Sequence, residues 1–363
     1  MGKVLVSAMS WGLGHVTRDI PLIDEILRHG HEITINTTGR PLELMKKEYP
    51  QCEFIDFDCY PEFNPAISSF MLSFAAHIPD IMKAVVKENA ELHSWLKTKK
   101  FDVIISDNRW GMYSRDVPSF FITHQLRVHT PSFLKLGGNL ADYINSSKIK
   151  YFDKVIVPDN SPEIGSISGK LCVSRNPHIQ KMTYYAGILA SVKKSDLRYD
   201  IDYLISISGP GPQRDKLEKL ILPQLSNLKG KKVVLLGKPN EDKEYFLDGD
   251  TLVKSHAQRS VISELMNKTR FIISRSGYTT VMEIAELEKR KALFIPTPGQ
   301  AEQEYLSDYY MRKGWFYSVR QDRLDLLSDV ETAENYSGFP PLPKTKDNAR
   351  RTYEDLFSEE LGG

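Results

Sequence analysis

The stretch FIISRSGYTTVMEIAEL, residues 271–287, predicts the fold class of this chain. It opens with an apolar run rich in β-branched residues, turns at Ser276 and Gly277, and ends with apolar residues at helical spacing. A buried strand that passes directly into a helix is the building unit of parallel sheets with helices on their faces. The stretch therefore predicts an α/β fold.

The same strand–turn–helix order recurs on both sides of this stretch and divides the chain into two halves. The first half runs from Lys3 to a final predicted strand, TYYAGILAS, at 183–191. The charged segment KKSDLRYDI, 193–201, lacks a clear period and is predicted to be a linker. We therefore expect two Rossmann-like, doubly wound parallel-sheet domains, at residues 1–192 and 199–340. Open sheets of this kind bind ligands at the carboxyl ends of their strands, so we expect the domains to face each other across a ligand-binding cleft.

The composition suits a two-domain globular protein and argues against several classes of function. With 363 residues the chain is too long for one typical core. Its 48 basic and 47 acidic residues give a net charge of +1, which supplies no general attraction to nucleic acid or to an anionic membrane. Three cysteines, Cys52, Cys59 and Cys172, match no zinc or redox spacing and are interpreted as reduced thiols. Without a secretory signal or a membrane-spanning pattern, the sequence predicts a cytoplasmic protein.

The first candidate site residue is a histidine in the loop after the first strand. In SWGLGHVTRD, residues 10–19, Gly12 and Gly14 allow positive φ and close approach of the backbone to a ligand. His15 then starts a helix, whose positive dipole end lowers the pKa of an imidazole and favours the neutral form that acts as a base. The alternative is that His15 only caps or packs under the helix. The loop is not a complete dinucleotide fingerprint, because Thr17 occupies the third glycine position.

A glycine-rich loop in the second half is the next candidate. In SISGPGPQRDKL, residues 206–217, Ser208, Gly209 and Gly211 lie between a predicted strand and a predicted helix. Backbone N–H groups at such a turn can cradle a phosphate. The segment lacks the Lys-Ser/Thr pair of a P-loop, which argues against ATP hydrolysis of that type.

The turn in the opening stretch and the loop after the next strand extend this constellation. Hydroxyls and backbone amides near Gly277 suit a diphosphate, and a carboxylate on the following helix either holds the hydroxyls of a ribose or is only a favourable charge near a helix N-terminus. In FIPTPGQAEQEY, residues 294–305, an amide side chain either binds sugar hydroxyls or is solvated. The candidate residues of the two loops are Ser276, Gly277, Tyr278, Thr279, Thr280, Glu283, Glu302 and Gln303.

Metal binding is not predicted. The triplet Asp-x-Asp, with which some transferases hold a divalent ion, occurs at 56–58 and at 200–202. The first occurrence ends a strand in the first domain, away from the phosphate-binding loops of the second, and the second occurrence lies in the linker. We therefore expect no metal site and no cofactor.

Together, these motifs resemble those of the nucleotide-sugar glycosyltransferases of the two-Rossmann (GT-B) fold, of the MurG type and the UDP-glucuronosyltransferase-like type. GHVTR, 14–18, resembles their Gly-His loop, and ISGPGPQ, 207–213, resembles their glycine-rich loop. SRSGYTTVMEIAEL, 274–287, resembles their donor signature, and PTPGQAEQEY, 296–305, the loop that follows it. The chain departs from the MurG-type pattern in having fewer glycines in the first loop and Glu rather than a second Gln at position 304.

The resemblance implies a role for each motif. Residues 276–280 would contact the diphosphate, Glu283 the ribose and Gln303 the donor sugar. His15 would act as general base near the reacting hydroxyl, and a final helix at 346–361 would pack back onto the first domain. The implied activity is inverting, metal-independent transfer of a hexosyl or N-acetylhexosaminyl group from a nucleoside diphosphate sugar, with UDP preferred, to an acceptor hydroxyl.

The acceptor is expected against the first domain, where polar residues follow two predicted strands. The candidates are Asp107, Asn108, Arg109 and His124, and the alternative is that they only cap loops. The apolar stretch AISSFMLSFAAHIPDIM, 66–82, is expected to be a core helix. Its second interpretation is a peripheral contact with the inner face of the membrane, where it would meet a lipid-linked acceptor of a cell-envelope glycan.

Two other functions would use the same features. The segment GHVTRD, 14–19, is similar to a loop of UDP-sugar hydrolases, in which water replaces the acceptor, and an epimerase on this scaffold would need the same donor pocket. A nucleotide-binding module without catalysis would need only the second half. The histidine of the first loop argues against that module.

Overall fold

The computed structural model of the chain describes two compact units, each with its own sheet and hydrophobic core. The described residues are 1–61, 70–128 and 135–362. Of these, the N-terminal unit comprises 1–61, 71–128, 135–191 and 343–362, and the C-terminal unit comprises Phe70 and 192–342.

The N-terminal unit is built on a parallel sheet. Within the described residues its strands are β1 (Lys3–Ala8), β2 (Glu32–Thr37), β3 (Glu53–Asp56), β4 (Val103–Asp107), β5 (Ser119–Ile122), β6 (Lys154–Val157) and β7 (Thr183–Tyr185). Their order in the sheet is β3-β2-β1-β4-β5-β6-β7, and all neighbouring pairs are parallel. The order therefore reverses between β1 and β4, which is the pattern of a doubly wound sheet.

Helices cover both faces of this sheet. They are α1 (Leu13–Arg28), α2 (Gly39–Glu48), α3 (Phe70–Leu96), α4 (Lys135–Ile149) and α5 (Pro177–Met182). Because side chains alternate along a strand, Val4 and Val6 of β1 pack in one cluster with α1, whereas Leu5 packs with Leu92 of α3 in another. The apolar runs of the sequence thus form central strands that are buried on both sides.

The C-terminal unit repeats this architecture. Its strands are β8 (Ile201–Ser206), β9 (Lys232–Leu235), β10 (Glu244–Asp248), β11 (Thr251–Lys254), β12 (Thr269–Ser274), β13 (Ala292–Phe294) and β14 (Tyr317–Ser318). Its helices are α6 (Gly211–Ile221), α7 (Arg259–Lys268), α8 (Tyr278–Glu286), α9 (Ala301–Lys313) and α10 (Leu326–Ala333). The sheet order is β10-β11-β9-β8-β12-β13-β14, with only the β10–β11 pair antiparallel among the described strands.

The last helix, α11 (Thr345–Leu356), packs on the N-terminal unit. Its Ala349 and Tyr353 join the same hydrophobic cluster as β1 and α1. The main-chain N–H of Gly2 donates to Nδ1 of His31 at 3.0 Å, so the other ring nitrogen, Nε2, carries the proton and donates to the Tyr353 hydroxyl at 2.6 Å. The two ends of the chain are therefore tied into one core.

Two parts of the fold differ from the sequence-based expectation. The predicted strand at 183–191 ends after β7, because Gly187 has a φ of 80° and the apolar residues beyond it pack under α11. The β10–β11 hairpin was not predicted, because every residue of β10 is exposed and the strand lacks an apolar face turned to the core.

The predicted fold class, α/β with two doubly wound parallel-sheet domains, is confirmed. The stretch at 66–82 lies partly outside the described residues, which resume at Phe70 in helix α3. Among the described residues, no helix is both apolar enough and long enough to span a bilayer.

Candidate active site

The strand order of the N-terminal unit brings two loops side by side. Strands β1 and β4 are neighbours, with Ala8 opposite Asp107, and the sheet order reverses between them. Loops that follow strands at such a reversal leave a crevice at the carboxyl edge of the sheet. Helix α1 begins there, with Gly12 as its N-cap at a φ of 107°, which residues with a Cβ rarely adopt, and with Gly14 and His15 in its first turn.

His15 and Asp107 form a hydrogen-bonded pair in this crevice. Nδ1 of His15 lies 2.7 Å from Oδ1 of Asp107. The Asp107 side chain is completely buried, whereas 22% of the His15 side chain is exposed. Nη2 of Arg18 also approaches the same Nδ1, at 3.0 Å, but the shorter contact to a charged acceptor places the proton on Nδ1. The other ring nitrogen, Nε2, is then unprotonated and can accept a proton.

Arg18 holds the carboxylate of this pair. It follows His15 by three residues and so lies on the same side of α1. Its Nε and Nη2 donate to the two carboxylate oxygens of Asp107, and its Nη1 lies 2.9 Å from Nδ1 of His124. A two-pronged contact of this kind fixes the orientation of a carboxylate. The sequence interpretation did not assign a role to Arg18, although its spacing from His15 was a usable signal.

The charges of this cluster determine its protonation. Burial opposes ionisation of Asp107, but the Arg18 guanidinium and the hydrogen bond from His15 outweigh it and hold the pKa of this carboxyl well below its usual range. Burial, opposed by the charge of Asp107 and assisted by that of Arg18, lowers the pKa of His15 from 6.5. The ring is therefore neutral at pH 7. The sequence interpretation ascribed a low pKa to the helix dipole, whereas burial is its first cause in the structure.

A second carboxyl lies beside the pair and was not anticipated. Asp19 follows Arg18 on α1 and is buried to 1% exposure. Burial first, and the negative charge of Asp107 second, raise the pKa of Asp19 well above its usual range. Asp19 therefore ionises less readily than Asp107.

The residues predicted on the acceptor side fall into different environments. Asp107 and His124 are buried members of the cluster around Arg18. Asn108 directly follows β4 with a φ of 55°, and its Nδ2 lies 3.4 Å from Nδ1 of His15. Asn108 is thus the acceptor-side candidate that borders the histidine without belonging to the buried ion pair.

The structure corrects the expectation that Arg109 lines the acceptor side. This arginine is fully buried, and its Nε donates to Oε1 of Glu88 on α3 at 2.5 Å. A buried guanidinium needs a buried carboxylate, and Glu88 also accepts from the Tyr60 hydroxyl at 2.8 Å and from the N–H of Gly111 at 2.7 Å. Arg109 therefore anchors the loop that follows Asp107 from beneath.

The C-terminal unit has a comparable arrangement of loops. Its sheet order reverses between β8 and β12, where Ser206 lies opposite Ser274. The glycine-rich loop after β8 has an exposed Ser208 and a Gly209 with a φ of 105°, and Gly211 begins α6. The turn after β12 leads into α8, whose N-cap is Gly277. Two helices therefore begin at the carboxyl edge of this sheet, and the positive ends of their dipoles lie there.

The loop after β13 approaches both of these helix starts. The side-chain oxygen of Gln303 accepts from the N–H of Thr297 at 2.9 Å, and its Nε2 would lie 3.8 Å from a Cβ at Gly277. The Thr297 hydroxyl would lie 3.6 Å from a Cβ at Gly209. This hydroxyl is buried and has no hydrogen-bond partner within the described part of the chain. Sequence reasoning missed Thr297, since its burial in a proline-flanked loop is a tertiary feature.

The other predicted donor residues divide by orientation. The Ser276 hydroxyl is buried, donates to the carbonyl of Gln303 and accepts from Ser307, each at 2.9 Å. Tyr278 is 3% exposed and packs in the core. The side chains of both residues therefore face inward. The expectation that these side chains contact a diphosphate is corrected: only their main-chain groups could do so. The remaining candidates, Thr279, Thr280, Glu283 and Glu302, are half-buried, and Glu283 is the sixth residue of α8.

A cavity of about 740 Å³ lies next to these loops in the C-terminal unit. Pro296, Gln321 and Glu304 are among the residues that line it, and charged side chains of both signs surround it. Among its described lining residues, none is a predicted donor residue. The cavity thus borders the donor loops without coinciding with them.

Comparisons with known proteins agree with this arrangement. Residues 213–347 match the model of the glycosyltransferase family 28 C-terminal domain. An uncharacterized glycosyltransferase of Methanosarcina mazei is 22% identical over 316 residues, which cover 83% of this chain and 81% of the relative.

Solved structures extend the likeness to nearly the whole chain. A glycotransferase of kitacinnamycin has a TM-score of 0.65 and 12% sequence identity, and the match covers 99% of both chains. UGT89C1 of Arabidopsis thaliana complexed with UDP-L-rhamnose has a TM-score of 0.61 and 12% identity, covering 98% of this chain and 94% of that one. The expected resemblance to GT-B glycosyltransferases, and with it the enzyme class, is confirmed.

Proposed function

We propose that the protein is an inverting glycosyltransferase that moves a sugar from a nucleoside diphosphate, UDP in the first instance, to an acceptor hydroxyl. The hydrogen-bonded pair of His15 and Asp107 is the observation that carries this proposal. It supplies a neutral imidazole whose free nitrogen can take a proton at pH 7. The solved relative that holds UDP-L-rhamnose supports UDP as the first donor nucleotide to test.

In this mechanism His15 acts as general base. Its Nε2 takes the proton of the acceptor hydroxyl while that oxygen forms a bond to the anomeric carbon of the donor sugar. The bond from this carbon to the diphosphate breaks on the opposite face, and its electron pair leaves with the nucleoside diphosphate. Asp107 stabilises the resulting imidazolium, and Arg18 keeps Asp107 ionised and oriented.

The C-terminal unit would bind the leaving group. The N-termini of α6 and α8 present main-chain N–H groups at one sheet edge, where negative charge is favoured. Gln303 is held by Thr297 with its amide nitrogen toward Gly277, which suits a sugar or phosphate oxygen. Glu283 would accept from the ribose hydroxyls. The proposal needs no metal ion and no other cofactor, and transfer that survives EDTA is the check.

The donor is tested first. UDP-, GDP- and TDP-sugars are compared by the rise in the thermal midpoint, because a ligand that binds only the folded state stabilises it by mass action. A donor that raises the midpoint is then incubated with candidate acceptors, and the anomeric configuration of the product is read by NMR. Retention of configuration would contradict the single displacement.

The same experiment separates the alternatives. Incubation of the donor without an acceptor releases free sugar at the rate of transfer only if water is the natural acceptor, as in a hydrolase. For acceptors on lipids, flotation with anionic vesicles distinguishes a membrane-bound enzyme from one that stays in the soluble fraction. These outcomes define the acceptor class, whereas the first panel defines the donor.

A further inference from the structure

Arg275 is a buried cation beneath the candidate donor loops. It lies between β12 and the N-cap of α8 and is 1% exposed. Within the described residues its hydrogen bonds go to the main-chain oxygens of Ile295 (2.9 Å), Pro296 (3.2 Å) and Gln213 (3.1 Å), and to Oε1 of Gln321 (2.7 Å). All four acceptors are neutral. The guanidinium therefore joins the turn after β12 to the loop after β13 and to the first turn of α6.

No carboxylate of the described residues lies within ion-pair distance of this guanidinium. Burial lowers the pKa of Arg275 to about 10, and a group with that pKa is still protonated at neutral pH. A buried charge without a counter-ion is costly, and natural proteins rarely keep one without a partner. The four neutral oxygens solvate the charge but do not cancel it. An anion bound nearby would cancel this positive charge.

The surroundings of Arg275 are positive in a second way. Arg275 lies two residues before Gly277, the N-cap of α8. Its guanidinium donates to the main-chain oxygen of Gln213 in the first turn of α6. Both helices turn their positive dipole ends toward this edge. An independent sign of a ligand is the buried Thr297 hydroxyl, which lacks a partner among the described residues and lies by Gly209.

We propose that Arg275 is an electrostatic support for the donor diphosphate: without touching it, the guanidinium supplies the positive charge that the diphosphate neutralises. The inference rests on the proposed function for the identity of the ligand. Beyond the proposed function, the inference is that the charge of this buried residue, together with the helix N-termini, determines the preference of the site for a doubly charged group. The Thr297 hydroxyl would donate to a phosphate oxygen.

The substitution Gln321→Glu tests the charge without removing the arginine. It has nearly the same shape as glutamine and places a carboxylate 2.7 Å from Nη2, so that Arg275 gains a counter-ion inside the protein. The control Asn335→Asp adds the same charge at an exposed position after α10. Binding of UDP, inorganic pyrophosphate and uridine is measured for the wild type and both variants.

The expected result is a loss of about tenfold in affinity for UDP and for pyrophosphate in Gln321→Glu, with uridine unchanged within twofold. Asn335→Asp should match the wild type. Equal losses for UDP and uridine would show that the variant only disturbs the structure and would overturn the inference. Unchanged pyrophosphate binding would overturn it as well.

A second pair of variants separates charge from hydrogen bonding. Arg275→Lys keeps the charge and should retain most of the affinity for pyrophosphate. Arg275→Met removes the charge and should lower this affinity tenfold or more. A wild-type protein that binds pyrophosphate but no nucleoside diphosphate would refute the proposed function and leave the role of Arg275 standing. If the wild type and all variants bind UDP equally well, the role of Arg275 is refuted and the proposed function stands.

Discussion

The buried arginines near the candidate sites of the two units differ in their partners. In the N-terminal unit each buried arginine of the site region faces a buried carboxylate, Arg18 with Asp107 and Arg109 with Glu88. In the C-terminal unit Arg275 faces only neutral oxygens among the described residues. The buried arginines near the first candidate site are thus paired with carboxylates, whereas Arg275 lies under the ligand loops of the other unit with neutral partners among the described residues.

This difference matches the tasks proposed for the two units. A base needs a defined tautomer and a fixed orientation, and a network of paired charges provides both with little net field. A diphosphate needs positive potential, and internal pairing would cancel it. The comparison is therefore between arginines at two candidate sites: the pairs with carboxylates suit a base, and the guanidinium with neutral partners suits an anion.

The largest expected effect is on catalysis. His15→Ala should lower kcat/KM for transfer by roughly 10²- to 10⁴-fold, because the general base is removed. The affinity for UDP should stay within twofold, since the donor loops belong to the other unit. Steady-state transfer and calorimetry measure the two quantities, with the exposed His178→Ala as the matched control. Near-normal turnover would remove His15 from the chemistry.

The next effect is on stability. Glu88→Gln leaves the buried Arg109 without a counter-ion and should lower the free energy of unfolding by about 3–5 kcal/mol. Chemical denaturation measures the loss. Glu53→Gln breaks the exposed ion pair with Lys99 and should cost less than about 1 kcal/mol. Equal effects of the two variants would mean that paired burial is not what stabilises the N-terminal unit.

A smaller effect is expected on the pH dependence. Protonation of His15 removes the base, so kcat/KM should fall as the pH drops through its pKa, which lies below 6.5. Arg18→Gln removes a positive charge that lowers this pKa, and the acid limb should then move to higher pH. The pH profile of kcat/KM is the measurement. A limb that stays in place, or moves to lower pH, would contradict the assigned network.

The smallest effect concerns the donor signature. Because the Ser276 hydroxyl faces inward, Ser276→Ala should leave the affinity for UDP within twofold. It should lower the free energy of unfolding by about 0.5–1.5 kcal/mol through the lost hydrogen bonds. Calorimetry with UDP and thermal denaturation check the two parts. A tenfold loss of UDP affinity would mean that the hydroxyl turns outward to the phosphate.

The accuracy of the sequence interpretation followed the locality of each signal. Strand and helix order, the turn at Gly277 and the glycines of the first loop are local patterns, and the structure shows them as β12–α8 and β1–α1. The β10–β11 hairpin was not predicted from the sequence, because its exposed strand has no periodic apolar face. Arg109 was misjudged because a polar residue after a strand looks the same whether it faces solvent or a buried carboxylate.

By itself the sequence determined the architecture of two doubly wound units and which loops carry glycine, histidine and hydroxyl groups, since these depend on neighbours a few residues apart. Only the tertiary structure decided that His15 meets Asp107 across 92 positions and that Arg275 meets no described carboxylate. Pairing of buried charges is a property of contacts between distant segments, and the energy that selects it arises only when burial removes water from both partners.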